Sequence, residues 1–321
     1  MNKKLFVFTG FIAILVLIPI FIKDPYILHL LINLFIAVSS AIGLGLLMSG
    51  GMISLAQAGI MAIGAYSSAL LVMNVGLSFW VALPLSGLIA MSIGVLIAYP
   101  TLRLKGLYFI MVTFAINEII RLFAINGPNV LGGHNGIPSV PKPNPITIPG
   151  LPTIEFVGKT PYFYLISLIL LLNCFFVYRI YTSRLGRTLK ALEEGENLAS
   201  SVGINVMKHK AIVFGIVCFF GGLNGSFLAH YNRLVSPDFF TIWVSIYYVI
   251  YAQVGGHATI VGPILGAIFF SILPEFFRGI AQFSPVVFGG LLILAILFLP
   301  SGLEALPKKI VVWGRRILTV R

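Results

Sequence analysis

"ILHLLINLFIAVSSAIGLGLLM", residues Ile27 to Met48, runs for 22 positions without an Asp, Glu, Lys or Arg. About 20 apolar residues suffice to cross roughly 30 Å of hydrocarbon as a helix. Lipid offers no hydrogen-bond partner, so a spanning backbone must bond to itself, and the stretch reads as a helix. The rest of the chain repeats the pattern. Hydrophobic residues make up 59% and charged residues 9% of the 321 positions, where a soluble domain carries roughly 25% charge. Most of the surface therefore faces lipid. Further apolar runs lie near 5–22, 58–76, 79–99, 106–125, 161–179, 211–230, 240–254, 259–277 and 284–300. The alternating signature of a membrane barrel is absent. The expected fold class is all-α: a polytopic transmembrane helical bundle of about ten spans.

At the N-terminus Lys3 and Lys4 precede the run from Leu5 to Ile22, as in a signal peptide. That run is long and no small-x-small cleavage site follows, so it reads as a retained first span. The chain then divides into a first span with its flanks (1–26), a main membrane domain (27–306) and a basic tail (307–321). If the N-terminus is inside, the inner segments carry fourteen Lys and Arg and the outer segments five. The excess supports both termini in the cytoplasm. It also accounts for the net charge of +12 without nucleic acid. Cys174 and Cys218 lie in apolar runs and suit neither a metal site nor a disulfide.

Two loops and two breaks interrupt the apolar runs. "GPNVLGGHNGIPSVPKPNPITIPGLPT" (Gly127 to Thr153) forms most of an extracytoplasmic loop over 126–160; its Pro and Gly content predicts no helix. "MSGGMISLAQAGIMAIGAY" (Met48 to Tyr66) and "VGGHATIVGPILGAI" (Val254 to Ile268) both read Gly-Gly-x-x-[Ser/Thr]-[Leu/Ile]. They form a candidate internal repeat. Gly/Pro-interrupted segments in corresponding halves point to a transport site, and glycines also let helices pack closely.

The most unusual segment is "GRTLKALEEGENLASSVGI" (Gly186 to Ile204), within a loop over 182–210. Arg184, Arg187, Lys190, Glu193, Glu194 and Glu196 crowd between two apolar runs. Leu185, Leu189, Leu192, Ala199 and Val202 recur at helical spacing. Ser183 fits an N-cap and Gly203 a C-cap. A helix lying on anionic headgroups would carry a mostly basic polar face. Mixed charge beside a leucine stripe suits docking onto a soluble protein.

This segment and the span after it, "GRTLKALEEGENLASSVGINVMKHKAIVFGIVCFFGGLNGSFLA", resemble the cytoplasmic coupling loop of branched-chain amino acid ABC importer permeases. "GLGLLMSGGMISLAQAGIMAIGAYSSALL", "LKGLYFIMVTFAINEIIRL" and "VGGHATIVGPILGA" resemble the same family's other signature stretches. Length, first span and long outer loop are similar to the larger, M-type permease. The resemblance makes 27–306 a permease domain in a prokaryotic cytoplasmic (inner) membrane. It implies a second permease subunit in a hetero- or homodimer, two cytoplasmic ATPase subunits and an extracytoplasmic solute-binding protein. Gly186, Arg187, Ala191, Glu193, Ala199 and Gly203 match the coupling motif; Leu192 departs from it where the family often has Arg. Leu189 and Leu192 are expected to enter an ATPase groove, with Glu194 beside them. Branched-chain amino acids lead the expected substrates, ahead of urea, short amides or a sugar.

No enzymatic chemistry is expected. "TIEFVGKT" ends like a phosphate-binding loop, but Thr153 replaces its first Gly. No cofactor is expected on this chain, and ATP belongs to the partner subunits. The histidines are scattered with no His-x-x-x-His pair, so no metal site is expected. Ser54, Gln57, Asn117, Glu118, Asn224 and Gln253 are the candidate lining of a translocation path. Glu118 and Arg121 sit at i, i+3 and can pair. A carrier or channel working alone would need buried acids, for which only Glu118 and Glu275 qualify.

Overall fold

A computed structural model describes residues 17–19, 21–22, 24–146, 153, 155–276, 289–290, 293, 297 and 302–305. Most of the expected spans over 284–300 and 5–22, the tail over 307–321 and the side chain of Glu275 lie outside those residues.

The first long helix, α1 (Pro25–Met48), starts where the Asp24 carboxylate accepts from the Tyr26 N–H at 2.8 Å, with Pro25 at its first position. Every residue from Leu34 to Met48 is buried. A helix apolar all round belongs in the centre of a bundle. The chain turns at Gly51, whose φ is +72°, and returns as α2 (Gln57–Met73). Next come α3 (Phe79–Thr101), α4 (Leu107–Ile125) and α5 (Lys159–Thr182). Two short helices, α6 (Arg184–Glu194) and α7 (Glu196–Ser201), lead into α8 (Val206–Asn232). Then come α9 (Ile242–Gly255) and α10 (Val261–Phe276), and a 3-10 turn lies at Leu303–Ala305. Five of them, α1, α3, α4, α5 and α8, are long and apolar enough to cross a membrane, and α2 is a shorter apolar helix. The protein is a helical membrane protein.

Two boundaries move from the sequence reading for a local reason. α8 begins at Val206, before the expected 211, because Asn205 Oδ1 accepts from the Lys208 N–H at 3.0 Å and caps the helix. α5 begins at Lys159 and ends at Thr182, so polar residues extend it beyond its apolar run.

The Pro- and Gly-rich loop corrects the expectation that 126–160 holds no helix. Pro128–Leu131 makes one helical turn, with Pro128 at its first position, where a missing N–H costs nothing. A 3-10 turn follows at Gly133–Asn135. Then β1 (Ile137–Pro138) pairs antiparallel with β2 (Leu234–Val235), just after α8. The Pro141 carbonyl lies 2.7 Å from His230 Nδ1, and the Asn144 carbonyl accepts from Trp80 Nε1 at 3.1 Å. Polar groups strap this loop across the ends of α3 and α8.

Small residues let the central helices touch. A Cβ on Gly64 of α2 would stand 2.3 Å from the Gly222 carbonyl oxygen of α8. One on Gly222 would stand 2.6 Å from the Ala90 Cβ of α3. Close backbone approach through small residues is how helices associate where lipid is as apolar as leucine. Gly222→Val should therefore lower the melting temperature of the purified protein by several degrees, since overpacking costs about 1–3 kcal/mol. Gly158→Ala, which meets nothing within 4 Å, should leave the melting temperature unchanged in the same thermal scan.

Candidate functional site

The charged segment is not one helix. It breaks at Gly195 into α6 and α7. Ser183 Oγ accepts from the Leu185 N–H at 3.1 Å and caps α6. Gly203 follows α7 with a φ of +86°, the left-handed conformation a C-terminal glycine supplies. Gly186 sits where a Cβ would stand 2.5 Å from the Ile180 carbonyl oxygen. Only glycine lets α6 fold back so tightly on the end of α5.

The leucines point inward. Leu189, Leu192 and Ala199 are buried against the chain's own core. This corrects the expectation that Leu189 and Leu192 enter a partner's groove: their apolar surface is already used to seat α6. Arg187, Lys190 and Glu194 share the opposite, exposed face, with Ala191 half-buried at its edge. Beyond the break, Leu198 and Val202 are 73% and 75% exposed.

Both glycine breaks lie against α6. A Cβ on Gly50 would stand 3.0 Å from Leu189 Cδ2, and one on Gly51 3.7 Å from the Leu192 carbonyl oxygen. At the second break, His257 Nε2 lies 2.8 Å from Glu193 Oε1, and Tyr181 Oη donates to the His257 carbonyl at 2.9 Å. The two similar sequences, about 200 residues apart, thus meet one short helix from two sides.

Charge fixes the next helix. Lys210 is only 3% exposed, and its ammonium is held by Glu196. Lys105 reaches the same carboxylate at 3.5 Å and donates to Asn197 Oδ1 at 3.1 Å. One acid therefore ties together α7, α8 and the α3–α4 turn. An open cleft of about 450 Å³ runs beside it, lined by Gly51, Lys105, Glu193, Glu196 and Leu198.

The polar residues expected along a path divide. The break and the first turn of α2 receive acceptors from other helices: Thr113 Oγ1 accepts from the Leu55 N–H, just before α2, at 3.0 Å, Ser245 Oγ from the Ala58 N–H at 2.8 Å, and Asn117 Oδ1 from the Gly59 N–H at 2.6 Å. Asn117 Nδ2 also donates to the Phe240 carbonyl at 3.3 Å. Ser54 accepts from the Ala56 N–H at 3.3 Å. Ser54 and Asn117 thus hold the start of α2, and Gln57 lies buried beside Gly221. Asn224 belongs to a separate buried cluster with Ser39, Ser40 and Asn173. Gln253 is exposed on α9. Glu118 and Arg121 form their ion pair at 2.9 Å. No group of three His, Cys, Asp or Glu side chains converges among the described residues. Sequence reasoning missed Thr113, Ser245, Lys105 and Lys210; their partners lie far off in the chain and leave no local signal.

A family model for the branched-chain amino acid transport system permease component matches residues 26–299. The chain belongs to that permease family. It is 34% identical over 270 residues to the high-affinity branched-chain amino acid transport system permease protein LivM of Escherichia coli K12, and 33% identical to LivM of Salmonella typhimurium. Each match covers 79% of this chain and 64% of the relative, so the permease spans less than two thirds of their length. A probable branched-chain amino acid transport permease, LivM of Methanocaldococcus jannaschii, is 25% identical over 71% of this chain. No solved structure matches the permease.

Removing one partner of a buried ion pair leaves the other charge stranded. Glu196→Gln should destabilise the permease by about 2–3 kcal/mol, discounted because Glu196 is partly exposed. Glu196→Gln with Lys210→Met should regain most of that loss, as judged by melting temperature.

Proposed function

We propose that this chain is a membrane-spanning subunit of an ATP-driven importer for branched-chain amino acids; its relatives are named as permease proteins of branched-chain amino acid transport. It sits in a prokaryotic cytoplasmic membrane with about ten spans and both termini inside. It pairs with a second permease subunit. Two ABC ATPases dock beneath the pair and hydrolyse ATP, and a solute-binding protein delivers substrate to the opposite, loop-covered end. The end that carries Lys105, Arg184, Arg187, Lys190, Lys208 and Lys210 is the cytoplasmic one, since positive charge collects there.

One observation carries this reading: α6 presents Arg187, Lys190 and Glu194 outward while its inner face rests on both glycine breaks. A helix so placed can take force from a soluble partner and pass it to two spans at once. The docking contacts are the outward charges, with Leu198 and Val202 available beside them; Leu189, Leu192 and Glu193 transmit by holding α6 to the membrane domain. Along the route, Gln57 and Glu118 are the polar residues kept from the sequence reading. Ser54 and Asn117 act by fixing α2.

The test is reconstitution with the partner permease, the ATPases and the binding protein. Leucine uptake should require ATP and every component, and the permease alone should move none. Arg187→Glu with Lys190→Glu should cut uptake at least tenfold and weaken ATPase co-purification, with membrane insertion unchanged. Wild-type uptake and ATPase retention in that variant would contradict docking at α6.

A further inference from the structure

Glu118 and Arg121 occupy an unexpected place on α4. That helix buries Phe109, Thr113, Asn117 and Ala124 toward the bundle. Its other face carries Met111, Phe114 and Leu122, all well exposed. Glu118 falls in the same row, four residues after Phe114 and four before Leu122, so the four side chains lie one above another. Both ion-pair side chains are 24% exposed. At 1.5 Å per residue, Glu118 lies about 10 Å inside the Ile125 end of the helix. A surface that met lipid here would hold two partly exposed charges within the hydrocarbon layer. Charges at such depth face a bundle interior or a water-filled cavity.

We propose that this stripe of α4 lines an aqueous substrate route, with Glu118 receiving the ammonium of a passing amino acid and Arg121 its carboxylate. The inference rests on the importer reading above. Between substrates the two side chains satisfy each other. An arriving zwitterion exchanges that one ion pair for two, so no charge is left uncompensated at any stage. The guanidinium suits a carboxylate because its paired N–H groups match both oxygens. Met111, Phe114 and Leu122 then meet the aliphatic side chain. A row of one ion pair set among apolar side chains is complementary to a zwitterion with a branched hydrocarbon tail.

The experiment uses the complete reconstituted importer, with Cys174 and Cys218 replaced by Ala and uptake retained. Met111→Cys and Leu122→Cys are exposed to a membrane-impermeant cationic methanethiosulfonate, with and without millimolar leucine. Leu168→Cys, exposed on α5, serves as the lipid-facing comparison. Both α4 cysteines should label at least tenfold faster than the α5 cysteine, and leucine should slow them several-fold. Labelling as slow as at Leu168→Cys, or labelling that leucine leaves unchanged, would overturn the proposal. Charge removal gives a second reading. Glu118→Gln and Arg121→Gln should each slow uptake at least tenfold, and the double variant should be no faster than either. A merely structural pair would instead recover when both charges are gone, because neither is then stranded. Recovery of the double variant toward wild-type uptake would overturn the assignment. Failure of ATP-driven leucine uptake in the unmodified importer would instead sink the importer reading, and is scored separately.

Discussion

A helix that begins inside a membrane protein exposes N–H groups that lipid cannot satisfy. The break after α1 creates that problem, and three other side chains solve it. Asn117 and Ser245 accept from the leading amides of α2, and Thr113 accepts from the Leu55 N–H in the break just before it. They come from two helices distant in sequence, so α4 and α9 are fixed relative to the break by the same bonds that make the break tolerable. A cost of about 1–3 kcal/mol for each buried amide left bare makes this arrangement a positional constraint as well as a repair.

Beneath the break the same economy recurs with charge. Glu196 gathers Lys105 and Lys210, and Glu193 reaches His257. The Leu189 side chain fills the space under Gly50, and the backbone of Leu192 and Glu193 lies under Gly51. Apolar burial seats α6, ion pairs set its register, and the leftover charges face outward. A displacement of α6 has no soft layer to dissipate in, because dense packing transmits strain. That is the physical basis for reading α6 as the point where work enters the membrane domain.

Much of the bundle was legible because lipid imposes one rule on every span. Runs such as Ile27–Met48 and 79–99 stand out by length and lack of charge, and the structure has helices there. The mixed-charge segment was legible as helical between a Ser183 cap and a Gly203 stop, but the sequence reading missed its break at Gly195 into two helices. Its orientation was not. Helical periodicity shows that Leu189 and Leu192 share a face, but that face could meet a partner or the chain itself. Only the position of Gly50 decides it, some 140 residues away. The path residues were harder for the same reason. Asn117 reads as an intramembrane polar group, and nothing local shows that Gly59 and Phe240 already occupy it.

The central claim is that α6 and the two glycine breaks move as one body. A cross-link between Glu193→Cys and His257→Cys, formed with a short bifunctional thiol reagent in the assembled importer, tests it directly. If the contact is kept throughout the transport cycle, cross-linked importer takes up leucine at close to the uncross-linked rate. If α6 slides over the breaks during transport, cross-linking stops uptake while each single-cysteine variant given the same reagent works normally, and the rigid-body reading fails.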